Sequence, residues 1–130
     1  MDNTAPQRTG NETIMVVDDT PANLTILVEL LGRRGYRVAA FPRGDMALKA
    51  AAFEAPDLIL LDIMMPGMDG LALFRRIRGN PDTARIPVVF VSVRWDFFND
   101  PAVSSDQRVK VLRKPFDLEV LVRTVKESLP

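Results

Sequence analysis

Cysteine and histidine are both missing from this 130-residue chain. Without cysteine there is no disulfide framework, no thiol nucleophile and no thiolate zinc site. Without histidine, imidazole metal sites and the Ser-His-Asp arrangement are excluded too. Net charge is also missing, since 17 Lys+Arg balance 17 Asp+Glu. That balance argues against a generally basic surface for gripping phosphate backbones. No apolar run approaches the length of about 18 residues that a membrane span needs. The N-terminal residues, Pro6 and Gly10 among them, lack the apolar segment of a signal peptide. The expectation is a cytoplasmic protein that engages neither membrane nor nucleic acid. Any acid–base or nucleophilic chemistry falls to Asp, Glu, Lys, Ser, Thr or Tyr.

What is present is an ordinary globular composition, 47% hydrophobic and 26% charged, at a length that fits one domain. Residues 1–12 read as a flexible polar tail and residues 13–130 as the domain. Within it, short apolar runs alternate with amphipathic ones. Residues 14–17 (IMVV) read as a strand, followed by Thr20-Pro21 as N-cap and first helical position. Leu24, Leu27, Val28 and Leu31 then recur at helical spacing. A second strand is expected over 36–41 (YRVAAF), and a second helix over 45–54 with Met46, Ala47, Ala50 and Phe53 inward. The run 57–61 (DLILL) has the near-continuous apolar character of a strand covered on both faces.

A third helix carries Leu71, Phe74 and Ile77, and strands four and five are expected at 86–91 and 109–112. The closing helix, 116–129, would turn Leu118, Leu121, Val122, Val125 and Leu129 inward. Between strands four and five no helical stripe runs cleanly, and Pro101 would break a long helix. An extended loop over 94–99 and a short fourth helix capped by Asp100 are expected there. Five strand signals alternating with helices imply an α/β fold with a parallel sheet and helices on both faces.

In such sheets ligands bind at the carboxyl ends of the strands. Those ends carry Asp18, Asp19, Asp62, Ser92 and Lys114. Taken singly, each has a plain structural explanation: a helix cap for the acidic pair, a strand-end hydroxyl for Ser92, a surface cation for Lys114. If the first and third strands are neighbours, however, three carboxylates converge. Two unit charges about 4 Å apart repel by roughly 4 kcal/mol at an effective dielectric near 20. Oxygen donors without nitrogen or sulfur suit a hard cation such as Mg²⁺. An aspartate there could serve as a nucleophile towards phosphorus, with a lysine and a hydroxyl as donors to the phosphoryl oxygens.

These residues resemble the receiver domain of two-component response regulators. The resemblance rests on Val16-Val17-Asp18-Asp19, on residues 57–62 (DLILLD) with 63–70 (IMMPGMDG), and on Lys114-Pro115-Phe116. It covers nearly the whole chain. Asp19 to Asp62 is 43 residues, Asp62 to Ser92 is 30, and Ser92 to Lys114 is 22, spacings similar to the family's. The resemblance implies a five-stranded flavodoxin-like sheet in the order 2-1-3-4-5, here with an atypically short fourth helix. It implies Asp62 as phosphoacceptor, Ser92 and Lys114 as donors to the phosphoryl group, and a cis Lys114–Pro115 bond. Mg²⁺ would be held by Asp19 and Asp62, by Asp18 mostly through water, and by the Met64 backbone carbonyl.

A histidine kinase or phosphotransfer protein would donate the phosphoryl group, and a protein partner would read the result. The chain would then be a switch rather than an enzyme, a stand-alone receiver or one cut from a longer protein, monomeric or weakly dimeric. The sequence departs from the family at Val111, where a switch aromatic normally stands, at Asp106-Gln107-Arg108, and in a loop holding Trp95, Phe97 and Phe98. The aromatics either pack over the shortened fourth helix or offer a partner-binding surface. The missing switch ring keeps a second reading open, a receiver-fold binding module that acts independently of phosphorylation.

Overall fold

The computed structural model describes residues 12–63, 69–92 and 100–129. In chain order the elements are β1 (Thr13–Val17), α1 (Pro21–Arg33), β2 (Arg37–Phe41), α2 (Gly44–Phe53), β3 (Leu58–Asp62) and α3 (Gly70–Gly79). They continue with β4 (Val88–Ser92), α4 (Pro101–Ser104), β5 (Val109–Arg113) and α5 (Leu118–Ser128). All strands are parallel in one five-stranded sheet, ordered β2-β1-β3-β4-β5, as the resemblance implies.

Side chains alternate between the two faces of each strand, and the core divides accordingly. Ile59 and Leu61 of β3 join Met15, Val17, Val88 and Phe90 under α2, α3 and α4. Leu58 and Leu60 join Ile14, Val16, Val89 and Val91 under α1 and α5. β3 and β4 are buried along their whole length, which is why their sequences run apolar instead of alternating. By the same alternation Asp62 lies on the α1/α5 face.

The helix ends follow local chemistry. Pro21 opens α1, whose Thr20 cap position makes no side-chain capping bond. At its other end Gly35 takes φ 93°, and the Gly35 and Tyr36 amides close back onto Gly32 and Leu31. Glycine adopts that left-handed turn without strain. α4 is the expected short helix, with Asp100 accepting from the Ala102 amide and Pro101 at its first position.

Three expected faces are corrected. In α2 the buried residues are Gly44, Ala47 and Ala51, while Phe53 is 91% exposed and Met46 46% exposed. The helix is rotated from the expected orientation, so small side chains face the sheet and let the backbone approach it. α5 starts at Leu118 instead of residue 116 because Asp117 takes the cap, accepting from the Val120 amide at 2.9 Å. Leu118 therefore sits on the first turn with its side chain half-exposed. Val28 of α1 likewise points outward. The expected tail (bar Glu12), the loop over 94–99 with its aromatics, and Met64 lie outside the described residues. Among the described residues no helix is long and apolar enough to cross a membrane.

Candidate functional site

Register builds the site. Val17 pairs with Leu61 across β1 and β3, so the residue after β1, Asp18, stands opposite Asp62 at the end of β3. Asp62 pairs with Val91 of β4, which brings Ser92 to the next strand end. The Lys114 amide donates to the Ser92 carbonyl at 2.9 Å, extending the β4–β5 ladder to the lysine. The Lys114–Pro115 bond is cis, and the Lys114 Nζ lies 3.9 Å from Asp62 Oδ2.

One carboxylate oxygen from each of Asp18, Asp19 and Asp62 lies within 4.8 Å of the others. Asp18 is buried, with a donor on each oxygen. Its Oδ1 accepts the Thr20 amide at 2.9 Å and its Oδ2 accepts the Asn23 side-chain amide at 3.2 Å. Asp19 is half-buried and takes no hydrogen bond among the described residues. Asp62 is 9% exposed and Ser92 2%. Ser92 and Asp62 have further polar or electrostatic interactions of their own. The other four strand-end residues thus gather around Asp62, and Met64 falls outside the described residues.

The turn behind Asp62 depends on glycine. The Gly70 amide donates to the Ile63 carbonyl at 2.7 Å. A Cβ on Gly70 would collide with the Asp62 carbonyl oxygen and come 2.6 Å from the Ile63 Cα. The start of α3 is therefore pressed directly onto the backbone that presents Asp62.

Beside the carboxylates opens a cleft of about 480 Å³ between α1 and α5. Ile26, Leu27, Phe116 and Leu118 form its apolar walls, and Asp18, Asn23, Asp62 and Lys114 its polar end. Ile26 is 54% exposed.

The family model of the response regulator receiver domain matches residues 14–126. The chain belongs to that family. PilH of Pseudomonas aeruginosa is 32% identical over 117 residues, covering 89% of this chain and 96% of PilH. Response regulator PleD of Caulobacter vibrioides is 46% identical over 79 residues, 61% of this chain. The matched part is only 17% of PleD, so this receiver domain corresponds to a fraction of that longer protein. Among solved structures, the receiver domain of sensor histidine kinase PA1611 from P. aeruginosa superposes with a TM-score of 0.77 at 27% identity. The match covers 90% of this chain and 96% of that one, which has a magnesium ion coordinated in its active-site cleft.

The donor set of this receiver domain fits such an ion. Three carboxylates face one lysine, no nitrogen or sulfur ligand competes among the described residues, and Asp19 stands among them without a hydrogen-bond donor. All of that matches the preferences of a small hard cation. Asn23 stands outside the residues that carry the family resemblance. Only its place in the first turn of a helix that follows two aspartates points to it.

Proposed function

We propose that this receiver domain is a phosphorylation-controlled switch whose phosphoacceptor is Asp62. The observation that carries this reading is the convergence of Asp18, Asp19 and Asp62 within 4.8 Å, with Lys114 at ion-pair distance from Asp62. An O–P bond forms at the Asp62 carboxylate as the N–P bond of a phosphohistidine breaks. The chain has no histidine, so that group comes from a histidine kinase or phosphotransfer protein. Lys114 and the Ser92 hydroxyl donate to the phosphoryl oxygens. Asp19 and Asp62 would hold Mg²⁺ through their side chains, Asp18 mostly through water, and Met64 through its backbone carbonyl. When bound, the ion neutralises charge that develops on the transferring phosphoryl group.

The phosphodonor approaches Asp62 beside the α1/α5 cleft, whose rim carries the exposed Ile26 and Leu118. The downstream partner reads the segment that contains Trp95, Phe97 and Phe98. The domain, residues 13–130 behind a tail of residues 1–12, acts in the cytoplasm as a monomer or weak dimer and turns over no external substrate.

Incubation with Mg²⁺ and a small acyl phosphate tests the reading by intact mass. One added phosphoryl group is expected on the native chain and none on Asp62→Asn. An unlabelled native chain, under conditions that label other receivers, overturns it. One observation favours the phosphorylation-independent alternative: Val111 packs against the core under α2 and α3, and a valine there has no ring to move. Under that alternative Asp62→Asn would leave partner binding unchanged.

A further inference from the structure

Both carboxylate oxygens of Asp18 are occupied by donors from the start of α1, the Thr20 amide and the Asn23 side chain. The backbone donor is supplied by the chain turn whatever the sequence. The side-chain donor is a choice of residue. Asn23 occupies the third position of α1, whose nominal cap, Thr20, makes no side-chain capping bond. The first turn of the helix is instead tied to the strand end through Asp18. Asn23 also lines the polar end of the α1/α5 cleft.

We infer that Asn23 is a positioning residue for the divalent-cation site, fixing the Asp18 carboxylate so that it meets the cation through water while Asp19 and Asp62 ligate it. This rests on the phosphorylation reading above only in taking the cluster as a Mg²⁺ site. A carboxylate beside two others is repelled by them, and a rotamer that turned Asp18 towards solvent would relieve that repulsion. A donor 3.2 Å from Oδ2 opposes the rotation, because hydrogen bonds to a charged acceptor are stronger than neutral ones. Residues that orient metal ligands influence affinity without touching the ion, and their loss costs about 10-fold or more in metal binding.

The test uses the full chain. Mg²⁺ is titrated into native protein, Asn23→Leu, Asn23→Ala and Asn23→Gln, with Asp19→Asn as the direct-ligand control. Binding is followed by amide chemical shifts, and thermal unfolding in EDTA monitors the fold. Asn23→Leu keeps the side chain's branched shape and removes its donor, while Asn23→Gln keeps a donor. The expected result is a Kd for Mg²⁺ raised about 10-fold in the Leu and Ala variants, with Gln recovering much of the loss. In native protein the Asn23 side-chain NH₂ signals and the Thr20 amide should both shift on adding Mg²⁺. If the Leu and Ala variants bind Mg²⁺ within about twofold of native while Asp19→Asn loses binding, the positioning role is wrong and the metal site stands. If native protein shows no saturable binding, both are wrong. A Leu variant that melts far below native in EDTA, with Ala and Gln folded and binding as native, also overturns the inference.

Discussion

At the scale of single residues, the most constrained position in the site carries no functional group. Gly70 is held against the Asp62 carbonyl and the Ile63 Cα so closely that one methyl has no room. The atoms it would meet are backbone, which cannot swing aside. Gly70→Ala should therefore destabilise the domain by about 2–4 kcal/mol in urea unfolding. It should also slow phosphoryl acceptance at Asp62 under conditions where the variant is still folded. Gly32, inside α1 with nothing within 4 Å of where a methyl would stand, is the counterpart. There alanine should stabilise by about 0.5–1 kcal/mol through helix propensity alone. Equal effects at the two glycines would refute the steric account. Asp62 was legible in the sequence because it ends an apolar strand, where an unpartnered charge is costly, and the other charged residues by their places after successive strands. Gly70 was visible only as part of a motif, and Asn23 only by its place in the first turn of the helix after two aspartates, because close approach and side-chain orientation leave no periodic trace.

At the scale of elements, α4 is too short to hold itself in place by propensity, and arginines from α3 brace it. Arg75 pairs with Asp100, the residue that caps α4. Arg78 Nε donates to Asp106 Oδ2 at 2.6 Å and its Nη1 to the Ile86 carbonyl at 2.6 Å. Its guanidinium lies 5.0 Å over the Phe74 ring, which in turn packs edge-on against Phe90. Asp106-Gln107-Arg108, a departure from the family pattern, thus acquires a role: Asp106 Oδ1 caps the Arg108 amide while Oδ2 takes Arg78.

Burial alone would raise the Asp106 carboxyl, but the Arg78 and Arg108 hydrogen bonds and charges outweigh it and hold it below its ordinary value of 3.8. A depressed folded-state value means stability that is present above the unfolded value and lost as pH falls through the folded one. Asp106→Asn should cost about 1–3 kcal/mol at about pH 7, with a difference from native that closes below about pH 4. A gap that persists unchanged at about pH 2–3 would assign the loss to packing and not to the charge. Element order and the short α4 were readable from strand signals and Pro101. The helix faces were less so, since burying Phe53 and burying Ala51 differ by a rotation that hydrophobicity alone does not fix. Small residues win at a sheet surface because they permit close approach.

At the scale of the whole molecule, the neutral charge total conceals a concentration of like charge. Three carboxylates have oxygens within 4.8 Å of one another with Lys114 at 3.9 Å from Asp62, and their mutual repulsion opposes folding. Sites of this kind are destabilising in the unliganded protein and are retained for function. The prediction is an inversion. In EDTA, Asp19→Asn should be more stable than native by about 1–2 kcal/mol, since it removes one charge from the cluster. That corresponds to a rise of roughly 3–8 °C in melting temperature for a domain of this size. With Mg²⁺ at about ten times its Kd, native protein should gain about 1.4 kcal/mol by mass action, whereas the variant, missing a ligand, gains little. The two melting curves should therefore converge or change order as Mg²⁺ is added. Calorimetry at fixed ionic strength separates this from general screening, because NaCl in place of MgCl₂ should not reproduce it. If Asp19→Asn melts below native in EDTA, the carboxylates are not in net repulsion and Asp19 has a favourable partner in the folded state.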